Sequence, residues 1–416
     1  MKRATTAALT ALLLLLPATA SAAPKATWVG AWATSPTTVP ASDTTSFEDQ
    51  TLRQVVHLSA GGDTVRVRLS NEFGTQPLVI GEAHVARRAG SGSAIAAATD
   101  RRLTFGGRAS ATLPPGTPLL SDPVALPVTA DSDLVVSVHL PRRTPGTTVH
   151  AFPYQDGYLA DGNVTGRAEI TPTAVLGKWH FLTGVSVTGR RGSTVVAFGD
   201  SITDGAETTR NANRRWPDVL ARRFQAERGL RDLGVVNAGI SGNRLLHDPN
   251  PPAGHPAEGY AAYFGQAALR RFDRDVLAQP GVGHVVVLLG VNDLGHPGTS
   301  APPSEKVGAQ DIIDAHRQLI ARAHAQGVRA YGGTITPFRD DTFGFFSPEN
   351  EAARQTVNRW IRTGGEYDGV IDFDRAVRDP GRPDRLLPAY DSGDHLHPND
   401  AGMAAMAAAV PLRLFR

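Results

Sequence analysis

"STVVAFGDSITDGAE", residues 193–207, decides how this chain is read. An apolar run ends at Phe198, and a glycine-flanked turn carrying Ser201 follows it. A short apolar run bounded by turn residues reads as a buried strand. Similar runs recur downstream as "GVVNAGI" (234–240), "HVVVLLG" (284–290), "VRAYGGTITPF" (328–338) and "GVIDF" (369–373). Between them lie longer helical patterns. One, "VGAQDIIDAHRQLIARAHAQ" (307–326), stops at Gly327, a natural C-terminal glycine. Another, "SPENEAARQTVNRWIRT" (347–363), has Ser347 as the expected N-cap and Pro348 at the first helical position. Alternating strands and helices imply a parallel sheet covered on both faces.

Working back from Ser193, the pattern changes. Residues 27–190 hold short or alternating apolar runs, among them "TLRQVVHL", "DTVRVRLS", "DLVVSVHL" and "KWHFLTGVSV", separated by Gly, Pro, Ser and Asp turns. Strands at this spacing without helical patterns between them predict a β-sandwich-like domain. The stretch "TGRRGS", 188–193, is the expected boundary, which gives a β-rich domain over 27–190 and an α/β domain over 193–416.

The first 23 residues read differently again. Lys2 and Arg3 precede the apolar run "ALTALLLLLP", and Ala20-Ser21-Ala22 fits a signal-peptidase site. The expectation is a secreted, extracellular protein, with residues 1–23 removed as a signal peptide and no integral membrane segment after that. The run is too short for a bilayer span, which needs about 20 residues. Without Lys2 and Arg3 the basic count falls from 42 to 40 and equals the 40 acidic residues. This balance, with no Lys/Arg cluster beyond pairs such as Arg214-Arg215, argues against a nucleic-acid partner. There is no cysteine, so the fold rests on its core rather than on disulfides, and a lipoprotein anchor is excluded.

Sites in open α/β sheets lie beyond the carboxyl ends of the strands. Those positions here are polar. Gly199-Asp200-Ser201 follows the first strand, and "NAGISGN" (237–243) follows the second and puts Gly242 in a tight loop. "GVND" (290–293) follows the third with the amide of Asn292, and "DSGDHLHPN" (391–399) comes after the last. Asp394 and His397 are three residues apart, so a turn brings them together, and a carboxylate holding imidazole Nδ1–H leaves Nε2 to face Ser201. A nucleophile, a base, an orienting acid and oxyanion donors are the parts that acyl transfer needs.

These blocks, in this order, resemble the SGNH/GDSL hydrolase superfamily over residues 193–416. The resemblance implies a flavodoxin-like three-layer α/β/α fold. It implies Ser201 as nucleophile and, through its backbone N–H, as oxyanion donor, from "FGDSITDG". It implies Gly242 and Asn292 as further oxyanion donors, and Asp394 and His397 as partners of the serine, from "DHLHP". Ile202 stands where the usual Gly-Asp-Ser-Leu block has leucine. No metal or organic cofactor is expected.

Three other readings compete. Asp391, Asp394, His395 and His397 lie within seven residues and offer a His-x-His metal site. An α/β-hydrolase lipase needs Gly-x-Ser-x-Gly, and here Thr203 replaces the second glycine. A glycan-binding protein with an inactive hydrolase domain is the non-enzymatic reading; Trp28 and Trp32 offer rings for sugar stacking, against the simpler expectation that they pack an interface. Trp216 is read as core. The expected substrate is a small-molecule or polysaccharide ester, with short acyl groups such as those of O-acetylated carbohydrates favoured. Longer lipid esters are the alternative, because the insertion 247–265 carries Tyr260, Tyr263 and Phe264.

Overall fold

The computed structural model describes residues 27–189 and 192–416. The expected signal peptide, 1–23, lies outside the described residues, as do Arg190 and Arg191 of the expected boundary stretch.

Residues 27–189 form two packed antiparallel sheets. One has the order Thr27–Ala33, Leu182–Gly189, Gly62–Ser70, Val124–Val128, with Pro118–Leu120 also pairing on Gly62–Ser70. The other runs Ala174–Leu176, Gly157–Asp161, Gln50–Leu58, Ser132–Leu140, Glu82–Arg87, Arg101–Arg102. The period-2 pattern of "DTVRVRLS" explains the packing: Val65, Val67 and Leu69 face inward and meet Leu52, Val56, Val136 and Val138 of the opposite sheet in one apolar core. Trp32 belongs to that core, edge-on to Trp179 at 4.8 Å, and Trp28 lies under the Arg66 guanidinium at 4.2 Å. Trp32 is therefore almost wholly buried. On the far side of the second sheet, buried Arg53 donates to Ser137 Oγ and to the carbonyls of Ser93, Val164, Thr165 and Arg167, which staples the 163–167 loop to the strands.

Residues 192–416 fold around a five-stranded parallel sheet of order Gly234–Gly239, Thr194–Gly199, Val282–Leu288, Arg329–Gly333, Gly369–Ile371. This is the 2-1-3-4-5 order of a flavodoxin-like, three-layer α/β/α fold, in which the strand order switches between the first and third strands. Helix Ala309–Ala325 packs with Pro348–Thr363, and helix Trp216–Ala226 packs with Asp400–Ala409. Ile312, His316, Leu319, Ile320 and Ala323 form the buried stripe of the first of these. Ser347 Oγ accepts from Asn350 N at 3.0 Å, and Pro348 opens the helix as its sequence predicts. Gly327 takes φ +69° after the other helix, a conformation open to glycine at little cost. Trp216 is fully buried and donates Nε1–H to Thr203 Oγ1 at 3.3 Å.

One feature differs from the linear reading. "DSGDHLHPN" does not leave the last strand directly, because helix Phe373–Val377 and the hairpin Arg378–Asp379/Arg382–Leu386 intervene. The motif returns to the sheet end only after this excursion.

The sandwich covers the open edge of the parallel sheet. Strand Thr27–Ala33 crosses strand Gly234–Gly239 so closely that a Cβ on Gly234 would stand 2.0 Å from Gly30 O, which makes glycine obligatory there. Gly30 N donates to Thr194 Oγ1 at 2.8 Å, and Val235 N donates to Ser59 Oγ at 3.0 Å. The outer strand's Val235 N–H is thus met by a sandwich side chain, and the sandwich's Gly30 N–H by a side chain of the parallel sheet.

Candidate active site

Strand Thr194–Gly199 delivers Asp200 and Ser201 at its carboxyl end. Asp200 is the cap of the short helix Ser201–Asp204, its Oδ1 accepting from Ile202 N at 3.1 Å. Ser201 is therefore the first helical residue, and its own hydroxyl is free of the capping duty. Ser201 Oγ lies 2.8 Å from His397 Nε2, and His397 Nδ1 lies 2.5 Å from Asp394 Oδ2. Asp394 Oδ1 also accepts from the backbone N–H groups of Leu396 and His397, at 2.9 and 2.8 Å. Partial burial works against ionisation of Asp394, but these hydrogen bonds outweigh it and hold the carboxyl well below the usual carboxylate range. A carboxylate at Nδ1 requires the hydrogen on that nitrogen. Nε2 is then the acceptor for the Ser201 hydroxyl.

Ser201, Gly242, Asn292 and His397 line one cavity of about 480 Å³. Gly242 has φ +77°, and a Cβ there would meet the Phe264 ring at 2.1 Å, so both the backbone and the packing demand glycine. Asn292 Nδ2 donates to Asn243 O at 3.0 Å, which fixes the amide and leaves its second N–H without a partner among the described residues. Asp293 holds the neighbouring loop by accepting from Leu245 N and Leu246 N, at 2.8 and 3.1 Å.

Phe152, Tyr154, Tyr260, Phe264, Phe343 and Phe345 give the cavity an aromatic lining. Phe343 meets the His397 ring edge-on at 5.8 Å, and Phe264 and Phe345 flank His296 at 5.1 and 5.4 Å. Burial lowers His296 to about 3, so it serves as a neutral part of that wall. Burial also pushes Asp200 up to about 7.

Several participants carry no signal in the sequence. Arg271, fully buried, donates to Gly199 O at 2.9 Å, Ala238 O at 2.8 Å and Asn243 Oδ1 at 3.0 Å. It ties the ends of two strands to the loop that carries Gly242. Asp204 Oδ2 accepts from Ser241 N and Oγ, at 3.0 and 2.8 Å, while its Oδ1 meets His150 of the sandwich. Phe152 and Tyr154 also come from the sandwich, and their apolar or turn context looks like any other loop.

His395 and Asp391 do not join the cavity. His395 Nδ1 bonds Asp391 Oδ2 at 2.5 Å, and Asp391 Oδ1 accepts from Gly393 N and His395 N. Among the described residues no group of three or more His, Asp or Glu side chains is placed to hold a metal ion. No helix among them is long and apolar enough to cross a membrane.

Residues 197–405 match the GDSL-like lipase/acylhydrolase family. The chain belongs to that family. Among solved structures it is similar to a GDSL-like lipase from Bacteroides thetaiotaomicron, at 18% identity over 54% of this chain and 88% of that one, with a TM-score of 0.37. It is also similar to an acetylxylan esterase from Geobacillus stearothermophilus, at 20% identity over 54% of this chain and 94% of the other, with a TM-score of 0.38. Among curated proteins nothing matches. The family match covers the parallel-sheet domain and none of the sandwich.

Proposed function

We propose that the chain is a serine carboxylic ester hydrolase that works through an acyl-enzyme on short-chain esters, such as O-acetylated carbohydrates, outside the cell. The carrying observation is the run Ser201 Oγ, His397 Nε2, His397 Nδ1, Asp394 Oδ2 at the wall of a cavity that Gly242 and Asn292 also line. His397 Nε2 takes the hydroxyl proton as Ser201 Oγ attacks the ester carbonyl carbon. The backbone N–H groups of Ser201 and Gly242 and the Nδ2–H of Asn292 donate to the oxyanion, and Asp394 steadies the imidazolium. The C–O bond to the alcohol breaks, and the alcohol leaves with the proton from His397. Water, deprotonated by the same nitrogen, then attacks the acyl carbon and frees the acid and Ser201.

Export rests on the first residues, where Lys2, Arg3, the apolar run and Ala20-Ser21-Ala22 make a signal peptide. A sugar ring suits the aromatic wall as the alcohol part, since its C–H faces lie well on rings. A second reading, a lipase or phospholipase acting on longer acyl chains, has its own support: Tyr260 and Phe343 at the cavity are 41% and 46% exposed, and exposed apolar groups at a site entrance favour a lipid surface.

The test is the initial rate on p-nitrophenyl esters from acetate to palmitate, with Ser201→Ala beside the wild type. Rates highest at acetate or butyrate and abolished in the variant support the first reading. A maximum at long chains favours the second, and equal rates with and without Ser201 overturn both.

A further inference from the structure

The cavity has two sources. The rings from Tyr260 to Phe345 belong to the parallel-sheet domain, whereas Phe152 and Tyr154 are carried by the loop after Val149–His150 in the sandwich. That loop is anchored along its whole length. Asn211 N donates to Tyr154 O at 2.9 Å, Asp156 N donates to Asn211 Oδ1 at 2.7 Å, and Gln155 Nε2 donates to the same oxygen at 2.8 Å. Asn211 Nδ2 returns to Asp156 Oδ2 at 2.6 Å, and Arg215 Nη2 donates to Pro153 O. At the start of the loop, His150 Nε2 lies 2.8 Å from Asp204 Oδ1, both buried, and Asp204 sits three residues after Ser201. Phe152 is further set by its edge-on contact with Tyr263, at 6.1 Å between ring centres. These contacts fix the backbone from Pro153 to Asp156 and the ring of Phe152 in the cavity that Ser201 also lines.

We propose that the sandwich is part of the substrate site, with Phe152 and Tyr154 forming the fixed wall that limits the size of the ester group accepted beside Ser201. The inference rests on the serine esterase reading. It assigns to the N-terminal domain a role in selectivity: two rings on an anchored loop, lining the same cavity as the aromatic side chains of the other domain, leave less room for a long group than for a compact one. Changing one large ring in an apolar pocket alters discrimination by at least the ~10-fold that a single methylene brings.

The test uses the full chain with Phe152→Ala, Tyr154→Ala and the milder Phe152→Leu, assayed for kcat and KM on p-nitrophenyl acetate and octanoate, with Ser201→Ala as reference. The ratio of kcat/KM for octanoate over acetate should rise about tenfold or more in each alanine variant, with a smaller rise in Phe152→Leu. Thermal unfolding of each variant identifies any that fails to fold, and Phe152→Leu and Tyr154→Ala then carry the test separately. A ratio unchanged or lowered in the folded variants overturns the proposal while Ser201→Ala remains inactive. Persisting activity in Ser201→Ala instead overturns the esterase reading itself.

Discussion

His150 Nε2 of the sandwich and Asp204 Oδ1 of the parallel-sheet domain stand 2.8 Å apart with both side chains 5% exposed or less. His150 Nδ1 lies 3.0 Å from Ser35 O, so the ring is held at both of its nitrogens. Asp204 in turn holds Ser241, the neighbour of Gly242. His150→Ala leaves the buried Asp204 Oδ1 without its hydrogen-bond partner, which costs about 1–3 kcal/mol. The expected result is a lowered melting temperature together with a fall in kcat, read by thermal unfolding and by steady-state assay at a temperature where the variant remains folded.

Among the reacting groups the losses should be graded. Ser201→Ala and His397→Ala each lower kcat by about 10⁶-fold, Asp394→Asn by about 10⁴-fold, and Asn292→Ala by about 10²–10³-fold. The order is the check: an Asn292→Ala loss as large as that of Ser201→Ala would contradict the assignment of the amide as one donor among three.

Gly242→Ala should be severe for a different reason. The φ of +77° disfavours any Cβ, and the new methyl would strike the Phe264 ring. A drop in kcat/KM of about 10²-fold or more is expected, accompanied by a shifted KM because the ring it displaces forms the cavity wall. The separate values of kcat and KM test this.

Asp200 gives a prediction in pH. Burial pushes its carboxyl up to about 7, against about 3.8 in the unfolded chain. The folded state therefore binds this proton more tightly, and the stability that Asp200 allows at low pH is lost as pH rises from about 4 to about 7, then levels off. Asp200→Asn keeps an oxygen for Ile202 N and has no proton to lose. Its stability relative to wild type should rise across that range and be flat above it, with a difference between the ends of about 4 kcal/mol. Melting curves at pH 4 to 8 decide it.

Arg53→Met should destabilise the sandwich by about 3 kcal/mol, since it strands the carbonyls of Val164, Thr165 and Arg167 that its buried guanidinium now meets. Denaturant unfolding followed by tryptophan fluorescence measures the cost. Because Arg53 lies on the sheet face away from the cavity-lining loop, kcat of the folded variant should follow the wild type.

Much of this molecule is legible in its sequence for a local reason. Ser201, Gly242 and Asn292 each sit a few residues past a strand, so the strand positions them and the motif travels with it. Ser347, Pro348 and Gly327 mark helix ends by capping chemistry that acts within one turn. Asp394 and His397 are readable as a pair because three residues separate them, although the excursion through 373–386 that brings them back is not. What stays hidden depends on contacts across long stretches of chain. Nothing near residue 150 announces that His150 meets Asp204, nor that Phe152 and Tyr154 line the same cavity as Ser201. Arg271 is likewise one arginine among many until the fold sets it against the carbonyls of Gly199 and Ala238. Trp32 shows the converse, an aromatic that suggests sugar binding until Trp179 is found against it.

The way the sandwich lies over strand Gly234–Gly239 bears on any attempt to separate the two halves. Severing the chain near residue 190 would strip Ser59 from Val235 N and Gly30 from Thr194, exposing an edge strand with its Val235 N–H unmet. Such an edge recruits the same edge of another molecule. The parallel-sheet half produced alone should therefore accumulate as aggregates, and adding the sandwich back in trans should suppress them.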